Sequence, residues 1–307
     1  MHPTFPVSLL AFIFFELART AISTCAAAIV LFVIALLATK KDVSRASGSD
    51  KIVALANLCF ALPLAVFGAE HFSAAQGIMT LVPKFMPWPL FWTYFVGAGL
   101  LAGSLSIATK ILVQWSGLLF GLMMFLFVAM MDIPSALQDS HNRIAWILLC
   151  RELSFGAGGW LLAAAVVDGW SPRVRNALIM IGRLIVGAAA VFYGVQHFLH
   201  PTLAPGVPLE KPMAAWIPAR SLIGYLTGVI LLFAGLSILF TKKRRLAATA
   251  LGAWLLALVL FVYGPMLISA LQAPGADVQV EGVNYFFDTL LYAGTILALA
   301  SASPRTD

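Results

Sequence analysis

Two stretches decide the reading: "VFGAEHFSAA", Val66 to Ala75, and "VFYGVQHFLH", Val191 to His200. Each closes a long apolar run with the pattern Gly-x-x-His-Phe, more than a hundred residues apart. A chain that repeats the same polar punctuation after the same kind of apolar run has the signature of an internal duplication.

The runs themselves fix the solvent. Of 307 residues, 61% are hydrophobic and only 10% charged. A soluble domain carries roughly 25% charge, so most of this surface faces lipid. Apolar segments of about 20 residues, the length that crosses a hydrocarbon core of about 30 Å, recur along the whole chain. They are expected at 18–39, 52–72, 89–109, 111–131, 144–167, 176–198, 219–240, 246–268 and 284–302. The fold class is all-α, a polytopic membrane protein of about nine transmembrane helices. Residues 7–17 read as an interfacial helix. A cleavable signal is rejected, because no Lys or Arg precedes the apolar run and Glu16 and Arg19 interrupt it.

The basic residues give an orientation. Lys40, Lys41, Arg45 and Lys51 fall in one loop, and Lys242, Lys243, Arg244 and Arg245 in another on the same side. Lys110, Arg173, Arg175 and Arg305 join them, and the opposite side receives only Lys84, Arg143, Lys211 and Arg220. By the positive-inside rule the richer side is cytoplasmic, which places the N-terminus outside and the C-terminus inside, in a bacterial inner membrane. The net charge of +6 is therefore a topology signal. Nucleic-acid binding is excluded, since the longest basic cluster is four residues of loop. The expected partners are the bilayer and, for redox chemistry, a partner redox subunit. Cys25, Cys59 and Cys150 lie inside spans with no C-x-x-C pairing and read as small packing residues.

Aligning the chain with itself extends the repeat. Gly68, His71 and Phe72 match Gly194, His197 and Phe198. Met86-Pro87 matches Ile217-Pro218, and Tyr94 and Gly97 match Tyr225 and Gly228. Gly121 matches Gly252, Pro134 matches Pro265, and "ELSFGAG" from Glu152 matches "DTLLYAG" from Asp288. The organisation is residues 1–50 with an extra N-terminal helix, a first four-helix copy at 51–170 and a second at 171–307. A unit with an even number of spans returns to its starting side, so the copies are parallel repeats about an axis along the membrane normal.

On these motifs, Gly-x-x-His-Phe closing the first helix, a Pro-containing outer loop, Tyr-x-x-Gly in the second helix and Ala-Gly in the fourth, each unit resembles the DoxX-like membrane family. The resemblance covers nearly all of the chain after residue 50. It implies a four-helix bundle per unit. Its thiosulfate:quinone oxidoreductase branch implies quinone chemistry, while other relatives resemble assembly or trafficking factors. The tandem fusion departs from the oxidoreductase pattern.

Small residues at Gly99/Gly103, Gly117/Gly121, Gly224/Gly228 and Gly156–Gly159 are expected to let helices approach closely. Pro63 is expected to kink the second span.

Ionisable residues inside spans are costly and mark functional or docking sites. Four are read here: Arg151, Glu152, Arg183 and Asp288. Glu152 and Arg183 both approach the midplane and are expected to pair across the copies, with Asp288 nearer the outer surface. Such a pair either docks the halves or handles protons and substrate. The histidines His2, His71, His141, His197 and His200 all fall on the outer side. His71 with Glu70, and His197 with Gln196, are the candidate cofactor-binding residues. Quinone binding, metal ligation by His71, His197 and His200 with Glu70, haem ligation and a simple helix-end role remain open. Quinone is the least demanding, needing an apolar slot and a few polar groups. No metal site is assigned, because spacing across a repeat is no ligand signature. The outer loops at 81–92 and 201–218, with Trp88, Trp92 and Trp216, read as proline-stiffened caps in the aromatic belt.

Two functions follow. One is a quinone-linked membrane redox component in which Glu152 or Asp288 exchanges protons. The other is a non-enzymatic assembly factor or small-molecule transporter with its site between the copies.

Overall fold

A computed structural model describes residues 18–167 and 169–304. The interfacial helix expected at 7–17, His2 and Arg305 lie outside the described residues. Among the described residues there is no strand, and nine helices are long and apolar enough to cross a membrane. They are α1 (Arg19–Arg45), α2 (Asp50–Ser73), α3 (Pro89–Thr109), α4 (Val113–Gln138), α5 (Arg143–Val166), α6 (Pro172–Leu199), α7 (Arg220–Phe240), α8 (Arg244–Leu271) and α9 (Ala276–Ala302). The last begins two turns earlier than its apolar core at 284–302 announced, because Ala276–Val283 carries polar residues that a hydropathy reading excludes.

The helices share one set of neighbours in each copy. Helix α2 packs along α3 as α6 does along α7, and α4 along α5 as α8 does along α9. The copies meet through α5 against α6, α9 against α2, and α5 against α9. Helix α9 is the most buried span and α1, lying on α2, the least. Exposed Ile29, Val33 and Leu37 suit α1 to lipid.

The repeated motif is the crossing of the first two helices of each copy. A Cβ on Gly97 would sit 2.7 Å from Cβ of His71 and 3.3 Å from the Gly68 carbonyl oxygen. One on Gly228 would sit 3.1 Å from Cβ of His197 and 3.1 Å from the Gly194 carbonyl oxygen. Only glycine permits so close a backbone approach, which substitutes dispersion and weak polar contacts for the absent hydrophobic drive in lipid. Above the crossing, Phe72 stacks on Tyr94 at 5.5 Å between centroids, and Phe198 meets Tyr225 at 6.2 Å with the rings tilted. Gly, Phe, Tyr and Gly of the motif are thus one packing device, and the histidine sits over it.

The other glycine pairs divide. Gly117 and Gly121 meet the backbone of α5 at Gly159 and Gly156. Gly99, by contrast, has nothing within 4 Å and Gly103 only Leu64 at 3.8 Å, so this spacing is not a helix contact. Gly224 faces the loop residue Pro201 instead of a helix. Pro63 sits inside a helix continuous from Ala56 to Ser73.

Two features escaped the sequence. Five-residue π-helical turns interrupt α4 at Val128–Asp132 and α8 at Val259–Tyr263. They stand at the same offset of 131 that relates Gly121 to Gly252, so Asp132 and Tyr263 are equivalent. Trp88 and Ala219, at that offset too, both adopt left-handed backbone at the entry to α3 and α7.

Candidate functional site

The charged groups gather inside the bundle, toward the end opposite the two basic loops. Glu152 lies nine residues into α5, about 13 Å along the axis, and Asp288 twelve into α9, about 18 Å. Since α9 starts early, Asp288 is level with Glu152 and not close to the surface as expected.

Arg151 holds both carboxylates. Its Nη2 donates to Glu152 Oε1 at 2.6 Å, its Nε to the same oxygen at 3.1 Å, and its Nη1 to Asp288 Oδ2 at 2.8 Å. The three side chains retain 12–19% exposure, so the triad is sheltered without being sealed. The expected Glu152–Arg183 pair is not formed. Arg183, on α6, makes no hydrogen bond or ion pair among the described residues, and its Nε is buried without a partner. Position along the axis put Arg183 at the right depth, but direction around the helix decides contact. The long Arg151 side chain reaches back to its own neighbour and across to the other copy.

Two further carboxylates, Asp132 and Glu70, border the triad. Asp132, at the end of the α4 π turn, is within electrostatic range of Arg151 and Glu152. Glu70 Oε1 accepts from Asn284 Nδ2 at 3.2 Å and lies within electrostatic range of Asp288. The carbonyl oxygen of Asn284 is buried without a partner. His71 Nδ1 donates to the Phe67 carbonyl at 2.7 Å. A carbonyl only accepts, so Nδ1 carries the proton and Nε2 of the neutral ring is an acceptor. That Nε2 makes no hydrogen bond among the described residues and is not among their enclosed polar atoms. The cluster therefore combines one cation and four carboxylates, with the His71 acceptor next to Glu70 along α2. Asp132 was missed because the hydropathy reading ended its span at 131.

The second copy is built differently at the equivalent place. His197 is fully buried, and its Nε2 accepts from the Gly206 amide at 3.0 Å. Tyr263 Oη donates to the Pro205 carbonyl at 2.7 Å. Residues 204–208 are buried, so this proline-rich loop is no outer cap but dips into the bundle. Its rim is fixed by Arg143, donating to Pro208 and Leu209 carbonyls at 2.7 and 3.1 Å, and by the Lys211 amide on Tyr285 Oη at 3.1 Å. Irregular backbone at membrane depth is tolerated where protein satisfies it, as here. The loop at 81–92 stays outside, with Leu81, Phe85 and Trp88 exposed.

These contacts bear on the open readings. His71, His197 and His200 do not converge, and no group of three or more His, Cys, Asp or Glu among the described residues is placed to hold a metal. His197 has its Nε2 committed to Gly206, so it does not face His71 as a second axial haem ligand. Gln196, next to His197 in sequence, is buried with an unpartnered Oε1. The cysteines Cys25, Cys59 and Cys150 are free thiols. Comparison with protein-family models, with curated proteins and with solved structures finds no match.

Proposed function

We propose that this chain is a DoxX-like multi-pass protein of a bacterial inner membrane, N-terminus outside, that works on the quinone–quinol couple at the outer face of its first copy. The two basic loops support the orientation. They sit at one end of the bundle, where Asp50 beside the first loop bonds Arg245 of the second at 2.7 Å. The observation that carries the reading is the His71 acceptor nitrogen, freed by the Phe67 bond, one residue along α2 from Glu70, which lies within electrostatic range of Asp288 in the Arg151 triad.

A quinol losing two electrons also loses two protons, and the residues supply acceptors for both. His71 Nε2 takes a hydroxyl hydrogen bond, and Asp132, Glu70 or the Glu152–Asp288 pair takes the second. Arg151 orients two of the carboxylates. Electrons leave to a partner redox subunit, because the chain itself has no thiol pair.

The test is solvent extraction of protein purified in mild detergent, with a reduced-minus-oxidised ultraviolet spectrum of the extract. Close to one quinone per chain, lost in His71→Phe with the fold intact, supports the reading. No extractable quinone from well-folded protein overturns it. One observation favours the second reading, a non-enzymatic assembly factor or transporter: Arg151 ties α5 of one copy to α9 of the other. Loss of the folded protein itself in Glu152→Gln would favour that docking role.

A further inference from the structure

The two copies answer different halves of one question. In the second, a single peptide group of the chain occupies the space between the motif histidine and the end of the π turn. Its carbonyl, on Pro205, accepts from Tyr263, and its amide, on Gly206, donates to His197. The fit is close: Gly206 has φ of +107°, and a Cβ there would meet Leu255 at 3.3 Å and Thr289 at 3.5 Å. The first copy presents the equivalent pair, His71 and Asp132, on the same glycine crossing and the same π turn. No loop reaches it. The matching connection folds into two short turns, Ala75–Ile78 and Met79–Leu81, and then runs along the surface.

We infer that peptide 205–206 stands where a ligand binds in the first copy, and that this ligand presents hydrogen-bond donors to both His71 and Asp132. The exchange of one residue sets the polarity. Tyr263 donates and so receives a carbonyl, whereas the carboxylate of Asp132 only accepts. His71 Nε2 also accepts, because its other nitrogen is spent on Phe67. A carbonyl ligand would set an oxygen against an acceptor at both ends, leaving buried polar atoms unpaired. On the quinone reading, the site takes the dihydroxy form, the quinol, and refuses the quinone. The second copy is closed by its own chain, so each chain binds one ligand.

The test compares a short-tail benzoquinol, kept reduced under argon, with its oxidised form, each titrated against the full chain in lipid nanodiscs. The expected result is quinol bound at least tenfold more tightly at one site per chain. His71→Phe removes the preference, and Asp132→Tyr, which copies the second unit, turns it toward the quinone. Equal affinities, or tighter quinone binding, overturn the donor inference while leaving quinone chemistry standing. An alkylguanidinium, with several N–H donors and no redox chemistry, keeps the two ideas separable. If neither quinone form binds but the guanidinium does, and His71→Phe or Asp132→Asn abolishes it, the donor site stands and the quinone reading falls. If none of the three binds, the inference is overturned.

Discussion

Removing one of two arginines inside the spans should cost stability, and removing the other should not. Arg151→Met strips the cation from Glu152 and Asp288, whose bonds to it are 2.6 and 2.8 Å. Breaking a buried pair costs about 3–5 kcal/mol, because the remaining charge is left unpaired. Here the partners keep 12% and 15% exposure, so water and protonation relieve part of that, and about 2–4 kcal/mol is expected. At roughly 2–3 °C per kcal/mol for a chain of this size, the melting temperature falls by roughly 5–10 °C. Arg183→Met removes a cation with no ion partner among the described residues. An arginine at the centre of a span carries an insertion penalty of about 2.5–3.5 kcal/mol before side-chain relief. Its loss should therefore leave the melting temperature unchanged or raise it by a few degrees. A maleimide dye that fluoresces on reaching Cys59, buried in the native fold, reports unfolding in detergent. Equal losses for the two variants, or a larger one for Arg183→Met, would refute the assignment of Arg151 as the ion-pair centre.

Three further outcomes follow from the packing. Gly97→Val should cost about 1–3 kcal/mol by overpacking against His71 and Gly68, while Gly99→Ala, with nothing within 4 Å, should be silent in the same melt. Tyr263→Phe leaves the Pro205 carbonyl without its donor, a cost of about 1–3 kcal/mol. Limited proteolysis should then cut within 201–212 faster than in the parent protein. Gly206→Ala, strained by its positive φ and its contact with Leu255, should speed that cleavage too, and an unchanged rate would show that the loop is not held as a plug.

The spans were legible because bilayer thickness sets their length and lipid sets their composition. Their partners around the axis were not. Glu152 and Arg183 have matching depths, yet a helix turns 100° per residue, and only the assembled bundle shows which face meets which. The motif histidines were found, but their chemistry split on residues far away in sequence. Phe67 sets the ring of His71, and the loop from Ala204 to Pro208 claims His197. A signal for that loop did exist. "LAPGVP" at 203–208 is small and uncharged, as an insertion into a bundle requires, whereas "LVPKFMPW" at 81–88 carries Lys84, Phe85 and Trp88 and stays outside. The π turns had no such signal, since each sits in an apolar run without glycine or proline until its end. They shift the register, and that shift brings Asp132 to the site.

The most direct test of the account is photolabelling. A short-tail quinone bearing an azide, reduced before illumination, is crosslinked to the chain in nanodiscs, and the modified peptides are identified by mass spectrometry. The account predicts label near Glu70–His71 on α2 and on the peptides around Asp132 and Arg151, competed by unlabelled quinol. Label confined to the second copy around His197 and Tyr263, or spread without competition over the lipid-facing helices, would contradict it.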